Sequence, residues 1–354
     1  MPPPLHPPPL NVQTPGFAHY SLAWSPFHNS RLALASSANY GLVGNGRLHI
    51  VSLLPGSVNG LNIDKQFDTQ DGLFDVAWSE IHENQLAVAS GDGSIKLFDV
   101  MINVREGDLP IRIWHEHTRE AFSVDWSNIR KDQFMSCSWE GSIKIWTPEL
   151  QRSVTTIPAH QACVYQALYS PHLPDIVASC SADGTLRIFD IRAPVSAQSL
   201  TNPVALPALT VPGSATELLT LDWNKYQQFY IATGGVDKVI RVWDCRMIRL
   251  GADANSSGPG GGQIGGACEA YLAGHEYAVR KVNWSPHRAD VLASASYDMT
   301  CRIWTTKQGV PSSLLYIHDA HSEFVSGCAW SLYDEGILGT CAWDCRLNVF
   351  RPEF

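Results

Sequence analysis

The sequence lacks what several functional classes require. Its 354 residues hold 25 Lys and Arg against 34 Asp and Glu, a formal charge of -9. Phosphate backbones are gripped by clustered Lys and Arg, so no nucleic-acid partner is expected and a basic partner suits the chain better. No apolar run approaches the roughly 18 residues of a spanning helix, and no basic region followed by an apolar one opens the chain. A soluble protein made in the cytoplasm, without direct membrane insertion, is therefore expected. The nine cysteines are odd in number and scattered, which speaks against a disulfide framework and for a reducing compartment. Neither Cys nor His falls into paired ligand spacing: Cys341 and Cys345 lie four apart but lack a second pair, so no metal site is expected. No glycine-rich phosphate loop opens a helix, because no convincing helix is present, and no cofactor is expected.

What is present is apolar material and order. The chain is 45% hydrophobic and only 17% charged, with 12 Trp, which suits a folded, aromatic-rich protein. Its first ten residues, MPPPLHPPPL, favour extended polyproline II and forbid helix. Residues 1–9 are expected to form a disordered Pro-rich tail and residues 10–354 a single domain. Within that domain the Gly- and Ser-rich stretch at about 251–266 leaves nothing to pack and is expected to be a disordered loop.

The domain is repetitive. Aligned on the aromatic residue that ends each unit's first strand, Trp24, Trp78, Trp126, Tyr169, Trp223, Trp284 and Trp330 mark seven units. Twenty residues after each of the last six comes Phe98, Trp146, Phe189, Trp243, Trp304 or Phe350, and fourteen after each comes a turn acid, Asp92, Glu140, Asp183, Asp237, Asp298 or Asp344. Stretches such as QALYS, DIVASCS and TLRIFDI are short, β-branched or aromatic and separated by Asp-Gly or Pro-His turns, so they read as hairpin strands. A small antiparallel sheet cannot bury both faces alone, and seven stacked radially bury one another. The sequence thus predicts an all-β, seven-bladed propeller. Its last blade runs out after three strands, and Leu10 to Thr14 can supply the fourth, closing the ring with an N-terminal strand.

His275, Ser294, Asp298 and Trp304 superficially offer a nucleophilic triad. Comparable sets recur with His117, Ser136, Glu140 and Trp146, with His160, Ser179, Asp183 and Phe189, and with His321, Thr340, Asp344 and Phe350. An enzyme has no use for four parallel copies. These sets resemble the structural brace of the WD-repeat family, a hydrogen-bond network tying turn to strands, and no enzymatic activity is expected. Blade 2 has Thr69 and Val88, and blade 5 has Ser214, where the brace residues would stand. Phe189 and Phe350 lack the indole N–H, which takes a donor from their sets. All these blades are expected to rely more on packing.

In WD-repeat proteins partners often dock on the face of the turn acids, through side chains three and five positions after the brace His and the residue just before the acid. Carried over, those positions include Phe74, Glu120, Phe122, Trp139, Tyr165, Glu217, Tyr297, Phe324 and Trp343, with Asp71 adjoining. Aromatic anchors with isolated acids describe a recognition surface for apolar and basic side chains.

The segments YGLVGNGRLHI (40–50), DGLFDVAWSE (71–80), SWEGSIKIW (138–146), ATGGVDKVIRVWD (232–244), VRKVNWSPH (279–287) and SASYDMTCRIW (294–304) closely resemble the peroxin seven family. The resemblance spans residues 17–351. It implies a receptor that binds the type-2 N-terminal peroxisomal targeting signal, shuttles between cytoplasm and peroxisome, and works with a peroxisomal co-receptor and the docking complex. That signal is an amphipathic helix, so Asp71 and Glu120 are expected to receive its Arg or Lys, with Phe74, Phe122, Trp139 and Trp343 bounding the apolar groove. A generic WD-repeat scaffold, such as a ubiquitin-ligase substrate adaptor or a chromatin-complex subunit, is the rival reading.

Overall fold

A computed structural model describes residues 9–54, 60–102, 109–192, 209–246, 263–264 and 266–354. The predicted hairpins form seven antiparallel sheets set as blades. Blade 1 comprises Phe17–Trp24, Arg31–Ala38, Gly46–Leu53 and Leu61–Thr69. Blades 2 to 6 repeat that order, their innermost strands being Leu73–Trp78, Ala121–Trp126, Val164–Tyr169, Leu218–Trp223 and Val279–Trp284. In blade 7, Val325–Trp330, Leu338–Ala342 and Arg346–Phe350 are completed by Leu10–Gln13, with Leu10 opposite Val349 and Gln13 opposite Arg346. The N-terminal closure expected from the sequence is thus formed.

Two departures concern connections. Within the stretch 251–266, Gln263–Ile264 forms a short strand parallel to Leu209–Thr210 beside blade 4, and Gly266 is also described. The remainder of that stretch lies outside the described residues, as do residues 1–8 of the expected tail. Among the described residues, the irregular first repeat contains the single helical turn, Asn39–Gly41, and no described helix is long and apolar enough to cross a membrane.

The core lies between blades. Leu48, Ile50 and Phe67 of blade 1 pack on Leu73, Trp78 and Phe98 of blade 2, and similar clusters join the later pairs. Neighbouring inner strands share no backbone ladder, so side chains bridge them. Asp75 accepts the Val124 N–H (3.0 Å), Asp125 the Tyr169 N–H (2.7 Å), Gln166 the Leu221 N–H (3.1 Å) and Asp222 the Trp284 N–H (2.7 Å). Ser326 closes the circuit by donating to the His19 carbonyl (2.6 Å). Each bridge also satisfies a buried backbone group that would otherwise be costly.

Candidate functional site

The braces come first, because they fix the turns that frame the site. In blade 6 the donors run in one direction: Trp304 Nε1–H to Ser294 Oγ (2.8 Å), the Ser294 hydroxyl to His275 Nε2 (2.6 Å), and His275 Nδ1–H to Asp298 (2.7 Å). This tautomer follows from the acceptor at the end of the chain. Burial opposes the charged carboxylate of Asp298, yet hydrogen bonds from His275, Thr300 and Glu276 hold it below its usual range. Burial likewise lowers His275, although Asp298 pulls the other way. The four predicted sets all form, with His117, His160 and His321 each within 3.0 Å of both partners.

Of the blades predicted to rely more on packing, 2 and 5 carry braces of another kind. In blade 2 the ammonium of Lys96 donates to Ser90, Asp92 and Ser94 at 2.8, 3.1 and 2.6 Å. In blade 5 Ser214 donates to Asp237 (2.8 Å) and Trp243 to Thr233 (2.8 Å). Blade 1 uses two histidines: His19 Nδ1 lies 2.8 Å from Ser36 Oγ, which lies 3.1 Å from His49 Nδ1, and Thr14 Oγ1 lies 3.0 Å from His19 Nε2. Their displaced spacing hid this set from the repeat alignment.

The site itself is made by a backbone irregularity. Every inner strand carries a bulge near its start, and the residue inside it is Tyr20, Phe74, Phe122, Tyr165, Leu219, Arg280 or Ser326 in blades 1 to 7. An extra residue bends the strand and re-aims its side chain. All seven bulge residues except Leu219 line one small cavity, which puts them around the axis. Four consecutive blades supply aromatics. Centroids of Tyr20 and Phe74, then Phe74 and Phe122, are 5.1 Å apart, and Phe122 meets Tyr165 edge-on at 5.7 Å. From blade 6 Arg280 reaches across, its guanidinium carbon 4.9 Å from the Phe122 centroid.

Above this tier stand the residues preceding the turn acids. Trp139 stacks on Phe122 at 5.2 Å, and Trp343 sits 5.5 Å from Tyr20 and 5.3 Å from Phe324, which is 4.9 Å from Tyr297. The rings make one continuous surface from Tyr165 round to Tyr297. The indole N–H groups of Trp139 and Trp343 are buried and have no hydrogen-bond partner among the described residues. Gly91 takes the place of an aromatic in blade 2, where a Cβ would stand 2.8 Å from the Asp71 carboxylate and 3.3 Å from the Phe74 ring.

The predicted residues therefore divide. Trp139, Tyr165, Tyr297, Phe324 and Trp343 are half-buried on the bowl's wall, whereas Phe74 and Phe122 are buried and form its floor. Of the acids, Glu217 accepts a 2.6 Å bond from the Tyr165 phenol, whose pKa is raised by burial and then by that carboxylate. Glu120 lies 3.6 Å from Arg119, a solvent-exposed pair of little energetic weight. Asp71 accepts the Gly72 N–H (2.8 Å). Tyr40 is added to the predicted set: it lies 5.6 Å from Trp343, and its carbonyl accepts the Tyr20 hydroxyl at 2.6 Å. Leu42 and Val43 beside it are strongly exposed. The long turn ANYGLVGNG signalled this loop without placing it. Among the described residues no cluster of His, Cys, Asp or Glu could hold a metal ion.

The profile of the WD domain, G-beta repeat matches residues 109–147, 151–190, 207–244 and 266–305. Each match takes the outer strand of one blade with three strands of the next. Over 386 residues the chain is 38% identical to the Peroxisomal targeting signal 2 receptor of Saccharomyces cerevisiae, covering 97% of this chain and 99% of that one. It is 36% identical over 342 residues to the protein of the same name from Mus musculus, covering 96% of each. It is also 40% identical over 350 residues to Peroxisome biogenesis protein 7 of Arabidopsis thaliana, covering 95% of each.

Proposed function

The chain belongs to the family of peroxisomal targeting signal 2 receptors, and on that footing we propose that its aromatic bowl binds the type-2 N-terminal targeting signal of cargo proteins. The observation that carries this reading is the unbroken ring surface from Tyr165 to Tyr297, with carboxylates at Asp71 and Glu120. An amphipathic helix laid across it sets apolar side chains on Trp139, Trp343, Phe324 and Tyr297, over the floor of Phe74 and Phe122. Its Arg or Lys meets Asp71 and Glu120, where displacing the loosely held Arg119 costs little. Glu217 is engaged in positioning Tyr165.

The bowl binds and releases; it performs no bond chemistry. The cargo-loaded receptor associates with a peroxisomal co-receptor, engages the docking complex and shuttles between cytoplasm and peroxisome. Titration of a labelled type-2 signal peptide, with and without co-receptor and with its basic residue replaced, tests the reading. Saturable binding that weakens on loss of the basic residue is expected. Absence of binding under every condition would favour a generic scaffold.

A further inference from the structure

The opposite face is built unevenly. There each inner strand passes into a turn, and the third residue after its terminal aromatic stands at the rim. In blades 4 to 7 that residue has a polar tip that hooks the next blade. His172 Nε2 lies 2.8 Å from the Asn224 carbonyl, Tyr226 donates to the Pro286 carbonyl at 2.7 Å, His287 Nε2 lies 3.1 Å from the Ser331 carbonyl, and Tyr333 donates to the Pro26 carbonyl. In blades 1 to 3 the same position holds Phe27, Ile81 and Ile129, which have nothing to donate and remain 41%, 44% and 38% exposed. The staple thus covers four blade junctions and leaves an apolar arc over the other three blades.

Beside the arc lies a cavity of about 530 Å³ between the ends of the inner strands. Four carboxylates line it, Asp75, Glu80, Asp125 and Asp222, against two ammonium groups, Lys225 and Lys281. Lys225 is held by Asp222 at 2.7 Å. Glu80 makes no hydrogen bond or ion pair among the described residues, and burial pushes its carboxyl up. Burial likewise pushes Asp125 up to about 7, so both carboxylates would gain from an incoming cation.

We propose that this face is a second docking surface, which takes a partner protein segment that lays apolar side chains on Phe27, Ile81 and Ile129 and sends a Lys or Arg into the acidic axial cavity. Charge complementarity selects the occupant: the excess of carboxylates repels anionic lipid headgroups and acidic peptides. Because the surface lies across the disc from the aromatic bowl, both can be filled at once.

The test uses the full chain saturated with type-2 signal peptide and titrated with a labelled amphipathic peptide bearing a leucine stripe and one central arginine. Binding should be saturable and unaffected by the signal peptide, and should weaken about tenfold or more in the double variant Ile81→Ser, Ile129→Ser. These side chains are exposed, so the fold is retained. Asp125→Asn, which keeps an acceptor for the Tyr169 N–H, should weaken it similarly, and a probe with glutamate for arginine should not bind. Signal-peptide affinity should be unchanged in every variant, which separates this inference from the cargo-site reading. The proposal is overturned by absent binding, by competition from signal peptide, or by equal binding of the arginine and glutamate probes. It is also overturned if Ile81→Ser dissolves a receptor dimer, since the occupant would then be a second copy.

Discussion

Arg280 and Phe122 rise from strands in blades 6 and 3, and each is the bulged residue of its strand; they meet over the axis at 4.9 Å. Arg280 is only 8% exposed and has no ion-pair partner among the described residues, so the aromatic face is its main attractive contact. Arg280→Ala should lower stability by about 1–2 kcal/mol and loosen the floor of the bowl. Arg280→Lys retains charge without the planar stack and should recover only part. Thermal melts with and without signal peptide measure both; an unchanged melt for Arg280→Ala would contradict the strut.

Glu120 can be tested by charge reversal. Glu120→Lys sets a like charge beside Arg119 and opposite the place proposed for the signal's basic residue, so peptide affinity should fall about tenfold or more. The melting temperature should hold, because the side chain is solvent-exposed. Full affinity in that variant would remove Glu120 from the binding site.

Deleting residues 1–16 takes away Leu10–Gln13 and exposes the edge of Arg346–Phe350. It also removes Thr14, which donates to the Cys345 carbonyl across the seam. The truncated protein should melt several degrees lower and aggregate more readily, as open strand edges do. Light scattering during a thermal ramp reads both, and an unchanged profile would contradict closure by this strand.

Mild acid should weaken the fold. Burial, with mutual repulsion, pushes His19 down to about 3, and burial pushes His49 down to about 3, whereas unfolded histidines titrate near 6.5. Below 6.5 the unfolded chain therefore binds more protons. The contribution is complete above that pH and declines as pH falls toward 3, by about 2 kcal/mol for each histidine at pH 5. Asp183 and Asp298, held low, add their loss only below about pH 4. Urea unfolding at pH 7 and pH 5 checks the first window; equal stabilities would falsify it.

The repeat arithmetic made the blades legible, because a Trp, an acid and a second aromatic at fixed offsets are local signals. The braces of blades 3, 4, 6 and 7 followed for the same reason. Blade 1 escaped because its set is anchored by His19, outside the repeat spacing, and blade 2 because Lys96 belongs to no motif. Wall and floor were not separable in the sequence: Phe74 and Trp139 are both aromatics at face positions, and only the bulge at Leu73/Asp75 turns Phe74 inward. Nor could a pattern of neighbours disclose that Arg280 crosses to Phe122, since blades 3 and 6 meet only through the closed ring.

Ring closure has a consequence for biosynthesis. The aromatic surface is carried across the seam by Tyr20 and Trp343, whose centroids lie 5.5 Å apart. Tyr20 leaves the ribosome early and Trp343 late, so the bowl stays broken until almost all of the described chain has been translated. A prematurely terminated chain loses the continuity of its aromatic surface along with its last blade. If the bowl is the cargo site, as proposed, cargo capture would be restricted to finished molecules, a quality check that needs no separate inspector.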